Sequence, residues 1–542
     1  MHFLGPSDWI FILLYLAVIA AVSVWSIRRS KDSPSDYFLA NRNLGWWVIG
    51  ASILASNVGS EHIVGLAGTA ADSGVVMGHY ELHSWIILTL GWVFVPFYMR
   101  SMVYTMPEFL ERRFNAKARW LLSIIQLLSY VIAKAAVTIF AGALVFNSLL
   151  GMDFWTGAII LVVITGIYTV LGGLHAVMYT EAIQAIVLLV GSAILLFIGL
   201  GKVGGWHNLV AALPKGKLNM FPPLSDPHPW AGILFASPIV GLWYWCTDQH
   251  IVQRCLAGKN EREARRGTIF AAFLKLMPFF IFMIPGLIAF VLKQQGKLNM
   301  TDSDTAFPTL VKEIMPFGLR GILAGGLLAA LMSSLASVYN ACSTLFTMDI
   351  YKKLKPEAGN KELVRVGRIA TGVVVILGMM WIPLMKNITA SLYGYLQSVQ
   401  SYLAPPIAAA FLLGVFFKRI NAAGAYSSMV IGFIIGVLKL VLELSQKHLD
   451  PGGLWYAFAT LNFLYFCIYL FLFSILVMVV VSLFTPAPSL EKIKGLTFST
   501  TVAEDKAASR ASWNATDVIL SVIIILIVIS VFMYFSPLGV GK

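Results

Sequence analysis

An apolar run from about Trp46 to Leu66 is long enough to cross a bilayer, yet its middle reads Ser56-Asn57-Val58-Gly59-Ser60-Glu61-His62. A charge at the centre of a spanning helix costs about 2.5 kcal/mol or more, so an unbroken helix gains nothing from this cluster. Gly59, and the competing side-chain hydrogen bonds of Asn57 and Ser60, favour unwinding instead. Unwound backbone at membrane depth survives only where it lines a cavity, and its freed carbonyls suit a cation. The plainer reading is a polar helix–helix contact through small residues. We read the stretch as a broken helix at a binding site.

The rest of the chain has the composition this demands. Of its 542 residues 58% are hydrophobic and 12% charged, against about 25% charged in soluble domains. Fourteen spans are expected: about 9–27, 44–69, 75–99, 119–147, 153–172, 177–200, 231–253, 267–292, 320–347, 364–385, 392–417, 424–443, 455–484 and 515–536. The first has no basic residue before it and Arg28-Arg29 after it, which opposes a cleavable signal peptide and puts the N-terminus outside. With that orientation 26 of the 39 Lys and Arg residues fall inside, ten outside, and Lys134, Lys275 and Lys439 lie within spans. The positive-inside rule therefore accounts for the net charge of +13, and no nucleic acid or acidic partner is called for. Cys246, Cys255, Cys342 and Cys467 lie in or beside apolar runs, without disulfide or metal-ligand spacing.

Spans two to six and seven to eleven make two consecutive sets of five, and an odd number per set inverts the second. Their first members both carry interruptions: Asn57-Val58-Gly59 in one, Pro238 and Gly241 before Trp243-Tyr244-Trp245 in the other. Paired broken helices point to a transport site at the midplane. The expected divisions are residues 1–43 (peripheral helix and first inner loop), 44–200 (first repeat), 201–230 (outer loop), 231–418 (inverted repeat) and 419–542 (peripheral helices). The polar stretch 485–514 is expected as an inner linker, which leaves both termini outside.

Residues with chemistry collect on these spans. Ala330, Ser333, Ser334 and Ser337 fall at i, i+3, i+4 and i+7, hence on one helical face. Hydroxyls and a carbonyl suit a hard cation, and the lack of a carboxylate there suits a releasable Na+ over Ca2+. Close packing of small residues explains the same spacing. Glu81 and Lys275 are single charges inside apolar runs, which marks either a structural ion pair or a water-filled path. With Asn57, His62, Ser84 and Gln397 they form a donor and acceptor set without excess charge. Such a set suits a neutral polyhydroxylated solute, on whose apolar face Tyr244 and Trp245 would stack.

Several strings in one order are similar to the sodium/solute symporter family, and within it to the sodium/glucose cotransporters, over nearly the whole chain. They include Ala-Ser-Asn-Val-Gly-Ser-Glu-His at 55–62, the run at 172–184 ending Tyr-Thr-Glu-Ala-Ile-Gln, Trp-Tyr-Trp-Cys-Thr-Asp-Gln at 243–249, Leu-Lys-Leu-Met-Pro at 274–278 and Met-Ser-Ser-Leu-Ala-Ser at 332–337. Leu-Phe-Thr-Met-Asp-Ile-Tyr follows at 345–351, then Gln397 and Tyr402-Leu-Ala-Pro-Pro406. The resemblance implies an all-α polytopic membrane protein with the five-plus-five inverted-repeat leucine-transporter fold. It implies Na+ ligands at the carbonyls of Ala55, Val58 and Ala330 and the hydroxyls of Ser333 and Ser334. It implies sugar contacts from Asn57, His62, Glu81, Ser84, Tyr244, Trp245, Lys275 and Gln397, with Tyr80 and Tyr393 as gate aromatics.

This chain departs from the family pattern at two places. Gly241 stands where relatives often place a polar side chain that touches sugar. Ala336-Ser337 and Glu181 stand where two-sodium relatives have Thr-Ser and Asp, so one Na+ is expected, with Glu181 and Ser337 on the ion's exit path. The expected activity is Na+-coupled symport of glucose or galactose across a bacterial inner membrane. A myo-inositol or polyol symporter is the alternative, and a sugar-gated sensor or leak channel the rival of another class. No nucleophile–base pair or metal cluster outside the spans suggests an enzyme.

Overall fold

The computed structural model describes residues 5–29, 33–59, 61–300, 302–385 and 392–542. Ser60 of the opening motif and Lys31 of the inner basic group lie outside these. Among the described residues the fold is built of helices, with one isolated bridge between Leu44 and Gly258. Eleven helices are long and apolar enough to cross a membrane, or twelve when one bent pair is taken as a span. That is short of the fourteen expected. The reason at span two is the break itself, which divides it into pieces too short to qualify alone.

The opening stretch is broken where its residues predict. The helix Trp46–Asn57 ends at Val58, which is extended (φ −79°, ψ 95°) while its amide still donates to Leu54 O at 2.7 Å. A helix C-terminus leaves its last carbonyls without intrahelical partners, and here those include Ala55 and Asn57. Gly59 is required by close approach: a Cβ there would lie 2.6 Å from Ser334 Oγ and 2.8 Å from Glu61 Oε2. The chain resumes in wide π-type turns over Glu61–Leu66 and continues as the helix Ala67–Ser73.

The second break lies elsewhere than expected. The helix Trp230–Cys246 runs through Pro238 and Gly241 without interruption, then bends by 44° into Gln249–Leu256. Spanning helices tolerate proline when neighbours compensate the lost bond. The bend comes from Thr247-Asp248 instead. Thr247 returns both its amide (3.0 Å) and its hydroxyl (2.7 Å) to Trp243 O, and the Asp248 carboxylate caps the next helix by accepting from His250 N at 3.2 Å.

Two further expectations are corrected. No loop separates 153–172 from 177–200: helical bonding is continuous over Phe154–Val203, since nothing between Thr169 and Thr180 is a proline. A straight helix of that length would be about 75 Å, far more than a bilayer. The apolar windows are nevertheless Phe154–Ile167 and Leu174–Val203. Val170 within this helix accepts hydrogen bonds from Tyr37 and Arg368. The thirteenth span starts at Phe463, after a separate short helix, Leu454–Thr460.

Contacts sort the loops onto two ends, as alternating spans require. At one end Arg42 donates to Val103 O (2.7 Å) and Leu256 O (3.2 Å), and Arg119 pairs with Asp349 at 2.6 Å. At the other, Lys217 donates to Asp72 O at 2.7 Å and Met220 N to Phe535 O at 2.8 Å. The linker 485–514 is not bare chain. Its helix Ala503–Ala511 docks through Ser509, whose hydroxyl donates to Glu261 at 2.5 Å, and Trp513 stacks edge-on against Trp92.

Candidate functional site

Both breaks open onto one cavity of about 50 Å3. Asn57, the last residue before the first break, donates to Tyr244 OH at 3.2 Å, two residues before Cys246 at the second. The Asn57 side-chain oxygen Oδ1 accepts from Lys275 Nζ at 2.7 Å. Lys275 also pairs with Glu81 Oε2 at 2.6 Å, and His62 Nε2 lies 3.2 Å from the same oxygen. Tyr393 OH donates to the other Glu81 oxygen at 3.1 Å. Lys275 and Glu81 are each 1% exposed. The cavity lining sets Lys275 and Lys134 against Glu81 and Glu61, which makes it close to neutral, and pairing Lys275 with Glu81 offsets much of what burying each charge alone would cost.

The remaining expected residues fall around this network. Gln397 lines the cavity, and its Oε1 has no hydrogen-bond partner among the described residues. Trp245 faces it too, its indole donating to His83 Nδ1 at 3.3 Å. The rings of Tyr80 and Tyr393 meet edge-on at 6.5 Å across one side of the cavity. Ser84 differs: it is fully buried and does not reach the lining. At Gly241 no space is left over, because a Cβ there would come within 2.8 Å of the His83 ring. That ring is held by a 2.6 Å hydrogen bond with Ser237.

Lining residues that escaped the sequence reading include Lys134, His83, Thr138, His250 and Gln400. Lys134 carried a legible signal, the same lone charge inside a span that singled out Lys275. It pairs with Asp248 at 2.9 Å, approaches His250 Nδ1 at 3.2 Å and stands 4.3 Å from the Tyr244 ring centroid. Tyr130 OH donates to the same aspartate. The carboxylate that caps the second break is thereby tied to the aromatic ring that meets Asn57.

A second, smaller cavity of about 10 Å3, room for about one water-sized particle, lies behind the first break. Ala55, Val58, Ala330 and Ser333 line it together. Ser333 Oγ is fully buried and lacks a partner among the described residues. Ser334 is placed differently, on the larger cavity beside Gly59, so the two hydroxyls bracket the break. Neutral oxygens without a carboxylate can hold a monovalent cation and release it. Ser337 and Glu181 lie one turn further along. Glu181 pairs with Arg254 at 2.8 Å and accepts from Ser337 and Ser52, while Arg254 donates to Ser337 at 2.6 Å.

Known proteins resemble this chain along most of its length. Residues 37–432 match the sodium:solute symporter family. The rabbit (Oryctolagus cuniculus) sodium/glucose cotransporter 1 is 40% identical over 89% of this chain and 80% of its own. The mouse (Mus musculus) sodium/myo-inositol cotransporter 2 is 39% identical over 91% and 79%. A substrate-bound, outward-open Na+-coupled sialic acid symporter superposes with a TM-score of 0.74 at 21% identity, covering 90% of this chain and 99% of that one. At that identity the likeness establishes the shared leucine-transporter-type fold.

Proposed function

The chain belongs to the sodium:solute symporter family, and on that premise we propose that it imports a hexose-like sugar, glucose or galactose, together with Na+ by alternating access. It is a multi-pass membrane transporter rather than an enzyme, and Na+ is its coupling ion. The observation that carries the sugar reading is the near-neutral Asn57–Lys275–Glu81–His62 network, open to a cavity with Gln397, Tyr244 and Trp245. Every sugar hydroxyl both donates and accepts, and this lining offers both. The Na+ ligands are the carbonyls of Ala55, Val58 and Ala330 with the hydroxyls of Ser333 and Ser334.

The cation bridges the two halves. Ala55 and Val58 belong to the first repeat (44–200), and Ala330 and Ser333 to the second (231–418). Na+ at that seam favours the outward-open arrangement, in which the sugar site is complete. Sugar draws Tyr80 and Tyr393 closed, and inward opening frees both solutes, the ion leaving past Ser337 and Glu181. Binding coupling is reciprocal, so Na+ raises sugar affinity by the factor by which sugar raises Na+ affinity. The potential adds about 2.3 kcal/mol per charge per 100 mV. Peripheral helices lie at 1–43 and 419–542, and 201–230 forms an outer loop. Both termini are outside, and the short loops without outer cysteines favour a bacterial inner membrane.

Purified protein in proteoliposomes should concentrate labelled glucose against its gradient when Na+ is high outside, and stop when K+ replaces Na+. Na+-independent equilibration would instead identify a leak channel, and binding without flux a sensor. The second reading is myo-inositol or another polyol, favoured by the 39% identical mouse relative of that name. Competition of unlabelled glucose, galactose and myo-inositol against glucose uptake separates the two.

A further inference from the structure

Gln184 is a buried amide with nothing to bond. Its side chain is 1% exposed, and neither Oε1 nor Nε2 has a hydrogen-bond partner among the described residues. It sits in the helix Phe154–Val203 one turn from Glu181, and i, i+3 spacing places the two on one face. Their surroundings are opposite. Glu181 is fully engaged by Arg254, Ser52 and Ser337. Gln184 lines the small cavity behind the first break, where its neighbours on the same wall are Leu54, Leu188 and Leu189. The other side-chain oxygen in that lining, Ser333 Oγ, is equally unpartnered.

Two unmet polar side chains in one otherwise aliphatic cavity are not a packing solution. Buried amides and hydroxyls are bonded in folded proteins, and an exception needs a ligand, an ion or a water to account for it. We propose that Gln184 is a further ligand of the transported cation, its Oε1 joining the oxygens of Ala55, Val58, Ala330 and Ser333. The inference rests on the reading of this cavity as the Na+ site and adds the side that neither the break nor the serine helix supplies. A neutral amide oxygen strengthens the shell without adding charge, so the ion stays releasable. Nε2 can only donate, so the oxygen end alone serves the ion and water meets the nitrogen end.

The test uses the full-length protein in proteoliposomes, with Na+ as the probe and glucose uptake and direct Na+ binding as readouts. Gln184→Leu keeps the size of the side chain and removes its oxygen. The half-saturating Na+ concentration should rise about tenfold, equivalent to about 1.4 kcal/mol, with glucose binding at saturating Na+ unchanged. Gln184→Glu should lower it and introduce a pH dependence below neutrality that the parent lacks. If Gln184→Leu retains the parent's half-saturating Na+, the amide holds water only and the proposal is overturned. Should that variant fold poorly, Gln184→Glu decides alone, and parent-like Na+ affinity at every pH overturns it. Ser333→Ala run in parallel separates the two levels. A rise in half-saturating Na+ in Ser333→Ala but not in Gln184→Leu removes Gln184 from the site, whereas no rise in either removes the cavity itself.

Discussion

Lys275 and Glu81 form a buried ion pair, 2.6 Å from Nζ to Oε2, inside the cavity that Asn57 and Tyr244 enclose. A structural pair and a solute-binding pair were alternatives in the sequence, and the structure shows a buried pair that also lines the cavity. The lysine uses Asn57 and Glu81, and the carboxylate uses Lys275, His62 and Tyr393. A solute that enters exchanges partners with an existing network.

The pair and Gln397 should respond differently to removal. Lys275→Met strands a buried carboxylate and should cost about 3–5 kcal/mol of stability, and Lys275→Met with Glu81→Gln much less. Gln397→Ala deletes a group whose Oε1 has no partner, so the fold should keep its melting temperature. Sugar affinity in Gln397→Ala or Glu81→Ala should fall about 5- to 150-fold, equivalent to about 1–3 kcal/mol. Calorimetry at saturating Na+ measures it, and unchanged affinity in both would move the sugar site elsewhere.

Removing both hydroxyls that bracket the break, Ser333→Ala with Ser334→Ala, should abolish Na+ stimulation of uptake. The fold should survive, since Ser333 Oγ bonds nothing among the described residues. Uptake at graded Na+ reads the effect. Retained Na+ dependence in a well-folded double variant would refute the assigned ligands.

One Na+ should accompany each sugar. The carboxylate available for a second ion, Glu181, already faces Arg254 at 2.8 Å, and position 336 offers only an alanine methyl. A second cation would have to displace a guanidinium from a fully buried pair, which strands a charge. Reversal potentials of coupled flux at several sugar gradients give the ratio directly, and a fit demanding two Na+ would sink this account.

Stability should fall as pH rises toward neutrality, through Asp304. Its loop rests on Gly68, where a Cβ would lie 2.8 Å from Asp304 Cα, and its carboxylate accepts from Leu392 N at 3.4 Å, at the start of the helix that carries Tyr393 and Gln397. Burial, aided by the charge of Asp302 and then of Asp72, pushes this carboxyl from 3.8 up to about 7. The folded chain therefore holds a proton that the unfolded chain has released between those values. The associated stability is full below about 4 and lost as pH rises through about 7. Thermal unfolding from pH 5 to 8 should show that decline in the parent and a flatter profile in Asp304→Asn. Equal slopes in the two would exclude Asp304 as its source.

The first break was legible because its cause is local. Glycine and side chains that compete for backbone bonds act within a few residues, and the helix fails at Val58, between Asn57 and Gly59. The second was misplaced because proline is a weaker signal in a membrane than in water. Thr247 and Asp248, which cap the two helix ends there, begin a polar stretch through His250 that was a legible interruption of the span. Lys134 obeyed the rule that found Lys275. Gln400 and His83 had no such mark, since a polar residue in a span says nothing of which way it faces.

Apolar length, the distribution of basic residues and the composition of one interrupted span determined from sequence that this chain crosses the membrane many times around a polar centre. Each of those is a property of short segments weighed against lipid, and neighbours do not alter it. The tertiary structure alone decided who meets whom: Asn57 with Lys275, 218 positions apart, and Glu181 with Arg254, 73 apart. Charges at membrane depth must find partners. Which partner each one finds depends on how the spans pack, and no local pattern encodes that.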